Sequence, residues 1–264
     1  MDLQLNGKRA FVTGSTAGIG LAIATKLAAE GAEVIVSGRT KERVDEAVKA
    51  VEGAAKGAKV WGIVADLSTV AGTREAIERA PDVDVLVNNL GIFNIRAFPE
   101  IDDAEWESIF QVNILSGVRL SRHYLPRMLA RNSGRIIFIS SECGIQIPVE
   151  MVHYGVTKAA QIALARGMAE ATAGTNVTVN SVLPGPTQSE GVDSFVGDLA
   201  KSSGVSPEQV ENEFFSTGRP TSLIKRFSRA EEIANVVAFV ASPLASSING
   251  APVRVDGGVV RAAS

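Results

Sequence analysis

The chain has a single cysteine, Cys143, and two histidines, His123 and His153, among 264 residues. One thiol excludes an intrachain disulfide and a multi-cysteine zinc cage, and two imidazoles argue against a His-based metal site. No metal is expected. Prolines number 10 against 25 glycines, which fits neither a collagen-like nor a disordered chain. Charge of one sign is also missing: 26 Lys and Arg stand against 29 Asp and Glu, a net of −3, with no basic stripe. A nucleic-acid partner is therefore not expected. No apolar run approaches the ~20 residues that span a bilayer, so no membrane partner is expected either. The opening residues, Met1-Asp2-Leu3-Gln4-Leu5-Asn6, carry neither a basic nor a long apolar segment, and a cytoplasmic setting is predicted.

What is present is apolar material for a core, at 45% hydrophobic residues, arranged in two alternating patterns. Short β-branched runs are read as strands at Arg9–Thr13, Glu33–Ser37, Lys59–Ala65, Val83–Val87, Arg135–Ser140, Asn176–Val182 and Pro252–Val255. Helical patterns fill the intervals at Gly18–Glu30, Lys41–Glu52, Thr73–Arg79, Asp102–Ala130, Val152–Ala173 and Ala230–Ala241. This alternation predicts an α/β domain, a doubly wound parallel sheet of about seven strands with helices on both faces. Ile136-Ile137-Phe138-Ile139 is continuously apolar, as a strand buried on both faces requires. No linker divides residues 1–264. Residues 186–229 break the rhythm with polar and small residues after a strand end, where open sheets place ligands, and are read as a substrate lid.

Between the first strand and helix lies Thr13-Gly14-Ser15-Thr16-Ala17-Gly18-Ile19-Gly20. Glycine permits the sharp turn and close packing, while the helix start offers unpaired N–H groups to an anion. The alternative is a tight turn without a ligand. At the end of the second strand, where NAD readers carry an acid, the chain reads Gly38-Arg39. A guanidinium grips a 2′-phosphate that a carboxylate would repel, so NADP(H) is preferred, with NAD(H) possible. The alternative is that Arg39 caps a surface turn. Tyr154 and Lys158 stand one helical turn apart, on one face. An ammonium at ~4 Å attracts a phenolate by about 4 kcal/mol at intermediate dielectric, which would bring the phenol towards general acid–base duty. Alone, such a pair reads as a surface pair.

It is not alone. The chain resembles the short-chain dehydrogenase/reductase family, in a short form like the 3-oxoacyl-carrier-protein reductases, over nearly its whole length. The resemblance rests on the glycine turn, Asp66-Leu67, Asn88-Asn89-Leu90-Gly91, Asn113, Ser140-Ser141, Tyr154-x-x-x-Lys158, and Asn180 with Pro184-Gly185. It implies a single Rossmann-like domain and an NADP(H)-dependent oxidoreductase that interconverts a ketone and a secondary alcohol. In that scheme Tyr154 exchanges the proton, and Ser141, favoured over Ser140 by its spacing, holds the reacting oxygen. Lys158 lowers the Tyr154 pKa and binds the nicotinamide ribose, and Asn113 anchors a water. Asp66 and Leu67 meet the adenine, Asn89 and Gly91 close over the adenosine half, and Pro184, Gly185 and Thr187 meet the nicotinamide end. Leu90 stands where the family usually has alanine. A homotetramer or dimer is implied, compatible with the apolar run Val253–Val260. The alternative is a catalytically silent nucleotide-sensing protein of the same fold.

The substrate pocket is expected between residues 91–98, residues 142–152 and the lid. Phe93, Ile145, Ile147, Val149, Met151, Phe195 and Phe215 would make it mainly apolar, with Asn94, Glu142 and Gln146 as polar contacts. An apolar or oxoacyl ketone is the expected small-molecule partner. His153 is read as a packing or pocket-rim residue, and Cys143 as unreactive.

Overall fold

Seven strands lie parallel in one sheet, in the order β3-β2-β1-β4-β5-β6-β7. They are β1 (Arg9–Val12), β2 (Glu33–Gly38), β3 (Val60–Val64), β4 (Val85–Asn88), β5 (Gly134–Ile139), β6 (Val177–Pro184) and β7 (Pro252–Val255). The computed structural model describes residues 1–263, without the side chains at 191, 193–195, 198 and 199. Phe195, expected in the pocket wall, therefore lies outside the described residues.

Side-chain alternation along the strands sorts the apolar residues into two cores. Val12, Val34, Val36, Val85, Val87, Ile137 and Ile139 face one side. There they meet α1 (Gly18–Ala29), α2 (Lys41–Ala54) and α9 (Ala230–Ala241). Phe11, Ile35, Leu86, Ile136 and Phe138 face the other, against α3 (Val70–Arg79), α5 (Ser116–Ala130) and α6 (Val152–Glu170). Each such side chain, once fully buried, contributes roughly 1.5–3 kcal/mol. The expected doubly wound α/β sheet is what forms.

Three expectations change in detail. The predicted helix over 102–130 is α4 (Asp103–Phe110) and α5, joined by one wider π turn at Gln111–Leu115. Asn113 sits in that turn, buried. Residues 186–229 are less irregular than predicted, since they hold α7 (Glu190–Ser203), α8 (Pro207–Glu213) and a second π turn at Phe214–Gly218. At the C-terminal end, Val259 and Val260 pack inside this chain, 1% and 6% exposed, which leaves Val253 and Val255 as the half-buried valines of that run. Among the described residues, no helix is long and apolar enough to cross a membrane.

Candidate active site

Strand order reverses between β1 and β4: the chain leaves β1 towards β2 and β3, then returns to the far side of β1 for β4. The carboxyl ends of these two strands bound a crevice of the kind in which open α/β sheets bind ligands. The glycine turn fills the β1 end. Gly14 and Gly18 have φ of +59° and +54°, conformations that side chains disfavour. Helix α1 begins after Ala17, which has no side chain to cap it, and no acid lies in its first turn. Its leading N–H groups are thus left for an anion from outside the helix. Asn89 braces the turn by donating from Nδ2 to the carbonyls of Thr13 and Gly14, each at 3.0 Å.

A Cβ on Gly20 would collide with that Asn89 amide and with the Gly14 carbonyl. Gly20→Ala is expected to cost about 1–3 kcal/mol through overpacking. A thermal melt should show the drop in Tm; an unchanged Tm would mean the turn yields freely.

Other predicted cofactor contacts divide by their present engagements. Ser15 is fully buried, and its Oγ donates to the Val12 carbonyl at 2.7 Å, so its side chain builds the turn. Thr16 lies over Gly38, where a Cβ would strike it. Arg39 is exposed and, among the described residues, makes no hydrogen bond or ion pair, whereas nearby Lys41 pairs with Asp45 and Arg43 with Glu190. Asp66 is exposed, with one carboxylate oxygen accepting from Ser68. Leu67 instead packs into the core, 3% exposed. Thr187 Oγ1 donates to the Gly185 carbonyl at 2.8 Å.

Tyr154, Ser141 and Lys158 line one cavity of about 510 Å³, together with Ile19, Asn89, Gly91, Pro184, Gly185 and Thr187. Ser140 Oγ donates to the Lys158 carbonyl at 2.7 Å, and Ser141 Oγ to Glu142 Oε2 at 2.5 Å. Lys158 Nζ lies 5.4 Å from the centre of the Tyr154 ring and donates to the Ile139 carbonyl at 2.9 Å and to Gln161 Oε1 at 3.2 Å. Gln161 Nε2 in turn donates to the Asn113 carbonyl at 2.7 Å. The Asn113 side chain clamps Ile92 from both sides and donates to Thr157 Oγ1 at 3.0 Å. The sequence reading missed Gln161, which ties Lys158 to the Asn113 backbone. Its position one turn after Lys158 on α6 is the only local signal of it.

The electrostatics correct a second expectation. Burial pushes the Tyr154 phenol up, with neighbouring Cys143 and Glu142 acting the same way and the Ser141 hydroxyl opposing them. Lys158 is not among the groups that lower this phenol, and two of its three N–H donors are turned to Ile139 and Gln161. Burial likewise pushes Lys158 down, to about 8 from 10.5. The unfolded chain keeps that proton between about pH 8 and 10.5, where the folded chain has released it. Stability linked to this lysine thus rises with pH across the window and is lost as pH falls through it. The Tm of the protein minus that of Lys158→Met should accordingly rise between pH 8 and 10.5. A flat difference would refute the shift.

Around this cluster the pocket wall is partly as expected. Phe93, Met151 and Glu142 line it; Asn94, Ile145, Gln146, Ile147 and Val149 do not, and Phe214 lines it where Phe215 turns into the interior. Val149 is 83% exposed, on the outer side of its loop. His153 is fully buried and packs edge-on to Trp106. The Cys143 thiol is pushed up to about 12 by burial, which keeps it unreactive. Arg219, just beyond the second π turn, reaches Glu142 at 3.4 Å.

Comparison with known proteins points one way. A family model described as short chain dehydrogenase matches residues 8–198. The uncharacterized oxidoreductase YvrD of Bacillus subtilis is 49% identical over 264 residues, 99% of each chain. The 3-oxoacyl-[acyl-carrier-protein] reductase FabG of Aquifex aeolicus is 33% identical, over 98% of this chain and 100% of its own. Among solved structures, L-sorbose reductase of Gluconobacter frateurii, complexed with NADPH and L-sorbose, superposes with a TM-score of 0.93 at 32% identity, covering 99% of this chain and 100% of its own.

Proposed function

Because the chain belongs to the short-chain dehydrogenase/reductase family, a family of oxidoreductases, we propose that it interconverts a ketone and a secondary alcohol with NADP(H), Tyr154 acting as the general acid and base. The observation that carries this reading is the convergence of Tyr154, Ser141 and Lys158 with the glycine turn on one cavity.

Bound reduced nicotinamide would supply the hydride. The residues of the chain do the rest. The turn Gly14–Gly20 and the open start of α1 receive the pyrophosphate, Arg39 takes the 2′-phosphate, and Asp66 faces the adenine with its uncommitted oxygen. Asn89 and Gly91 flank the adenosine half; Pro184, Gly185 and Thr187 bound the nicotinamide end. NADPH or NADP bound to related structures supports the same choice. Burial keeps Tyr154 protonated at neutral pH, so in reduction it is ready to donate to the carbonyl oxygen. Ser141 orients that oxygen, and Lys158 positions Tyr154 and the ribose. Asn113 fixes the loop at Ile92 through paired hydrogen bonds. Residues 186–229 form the lid, and association into dimers or tetramers belongs to the same proposal.

NADPH consumption with a panel of ketones tests the reading, run in parallel with NADH and with the Tyr154→Phe variant. No ketone-dependent oxidation of either cofactor would sink it. The names of the relatives, an oxoacyl reductase and a sorbose reductase, span different substrates, so the pocket itself has to indicate the substrate class.

A further inference from the structure

The pocket holds a carboxylate for which the proposed reaction has no use. Glu142 follows Ser141 directly and is 4% exposed, although it lines the cavity. Its Oε2 accepts from Ser141 Oγ at 2.5 Å and from the Cys143 N–H at 3.0 Å. Its Oε1 lies 3.4 Å from Arg219 Nε. Arg219 is itself half-committed: it donates to the Gly218 carbonyl at 2.8 Å and stands 3.8 Å from Glu150.

Two consequences follow from this arrangement. Ser141 has one proton, for which Glu142 Oε2 at 2.5 Å and the Tyr154 oxygen compete, while its own oxygen accepts from the Cys143 N–H at 3.1 Å. A ketone oxygen needs a donor there. A substrate donor on Oε2, beside the Cys143 N–H already there, would free that proton for the ketone. Oxygens on adjacent carbons stand about one hydrogen-bond length apart, which matches the spacing of Ser141 Oγ and Glu142 Oε2. A hydroxyl next to the reacting carbonyl can therefore donate to Glu142 while the carbonyl accepts from Ser141. A carboxylate substrate is disfavoured, since Arg219 already faces two carboxylates. A plain or oxoacyl ketone leaves a buried charge without a new partner.

We infer that the substrate is an uncharged α-hydroxyketone, reduced to a vicinal diol, with Glu142 as the residue that reads the neighbouring hydroxyl and Arg219 as the residue that holds Glu142 in place. The inference rests on the reduction proposed above. The carbonyl carbon gains a hydride and its oxygen a proton, two electrons come from the reduced cofactor, and the reading hydroxyl is unchanged.

The test uses a matched pair, 3-hydroxybutan-2-one and butan-2-one, with NADPH and the full-length protein. The hydroxyketone should have the higher kcat/KM by about 10- to 150-fold, the span of a hydrogen bond to a charged group. Glu142→Gln, which keeps the shape, should remove most of that preference, read as the ratio of kcat/KM for the two ketones. A clamp with no role in recognition would lower both substrates alike, and equal rates in the parent protein would also overturn the inference. A second readout needs no turnover: with NADPH present, butane-2,3-diol should raise the Tm more than butan-2-ol does, and Glu142→Gln should abolish the difference. If neither ketone is reduced but the diol effect persists and depends on Glu142, the reduction reading fails and the recognition stands. If the diol effect is absent too, both fall.

Discussion

Replacing Tyr154 with phenylalanine is expected to lower kcat at least about 100-fold, and by as much as about 10⁴-fold, the range of a positioned acid or base. Affinity for NADPH should stay within a few-fold, because the ring and its edge-on contact with Phe93, 6.0 Å between centres, survive the loss of one oxygen. Steady-state turnover together with cofactor titration separates the two quantities. Unchanged turnover would remove Tyr154 from the chemistry, whatever its place in the cavity. A parallel collapse of cofactor binding would recast it as a structural residue.

The second large effect concerns the cofactor. Arg39→Asp replaces a guanidinium that has no partner among the described residues with a charge of the phosphate's own sign. Losing a charge-assisted contact alone costs about 1.5–3 kcal/mol. The ratio of kcat/KM for NADPH over NADH should fall by about 100-fold, with most of the change in KM. The side chain is exposed and supports no fold contact, so the Tm should hold. Equal losses with both cofactors would show that Arg39 reads nothing on the adenosine side.

Much of the fold was legible because physics wrote it locally. β-branched runs such as Glu33–Ser37 announce strands buried on both faces, and all seven formed within two residues of their expected ends. The glycine turn was legible for a similar reason, since its conformation needs residues without a Cβ. The π turn at Gln111–Leu115 escaped notice because the apolar periodicity runs through it, and one extra residue per turn leaves no mark on composition. Helix α8 did carry a signal. Ser206-Pro207-Glu208-Gln209 is an N-cap, a first-turn proline and a capping-box partner, and the polar look of the segment masked it. Glu142 was visible as a pocket residue, but its hold on Ser141 and its pairing with Arg219, 77 positions away, were not. Gln161 shows the same limit: the backbone carbonyl it fills belongs to another helix. Contacts made across the fold have no period to read.

The ion pair between Arg219 and Glu142 joins a replaceable surface excursion to the serine loop. Exchanging residues 186–229 for the corresponding stretch of a relative would leave a deeply enclosed carboxylate uncompensated unless an equivalent cation came with it. Attempts to retarget the enzyme by transplanting that stretch should therefore recover activity only in chimeras where both ends are swapped together.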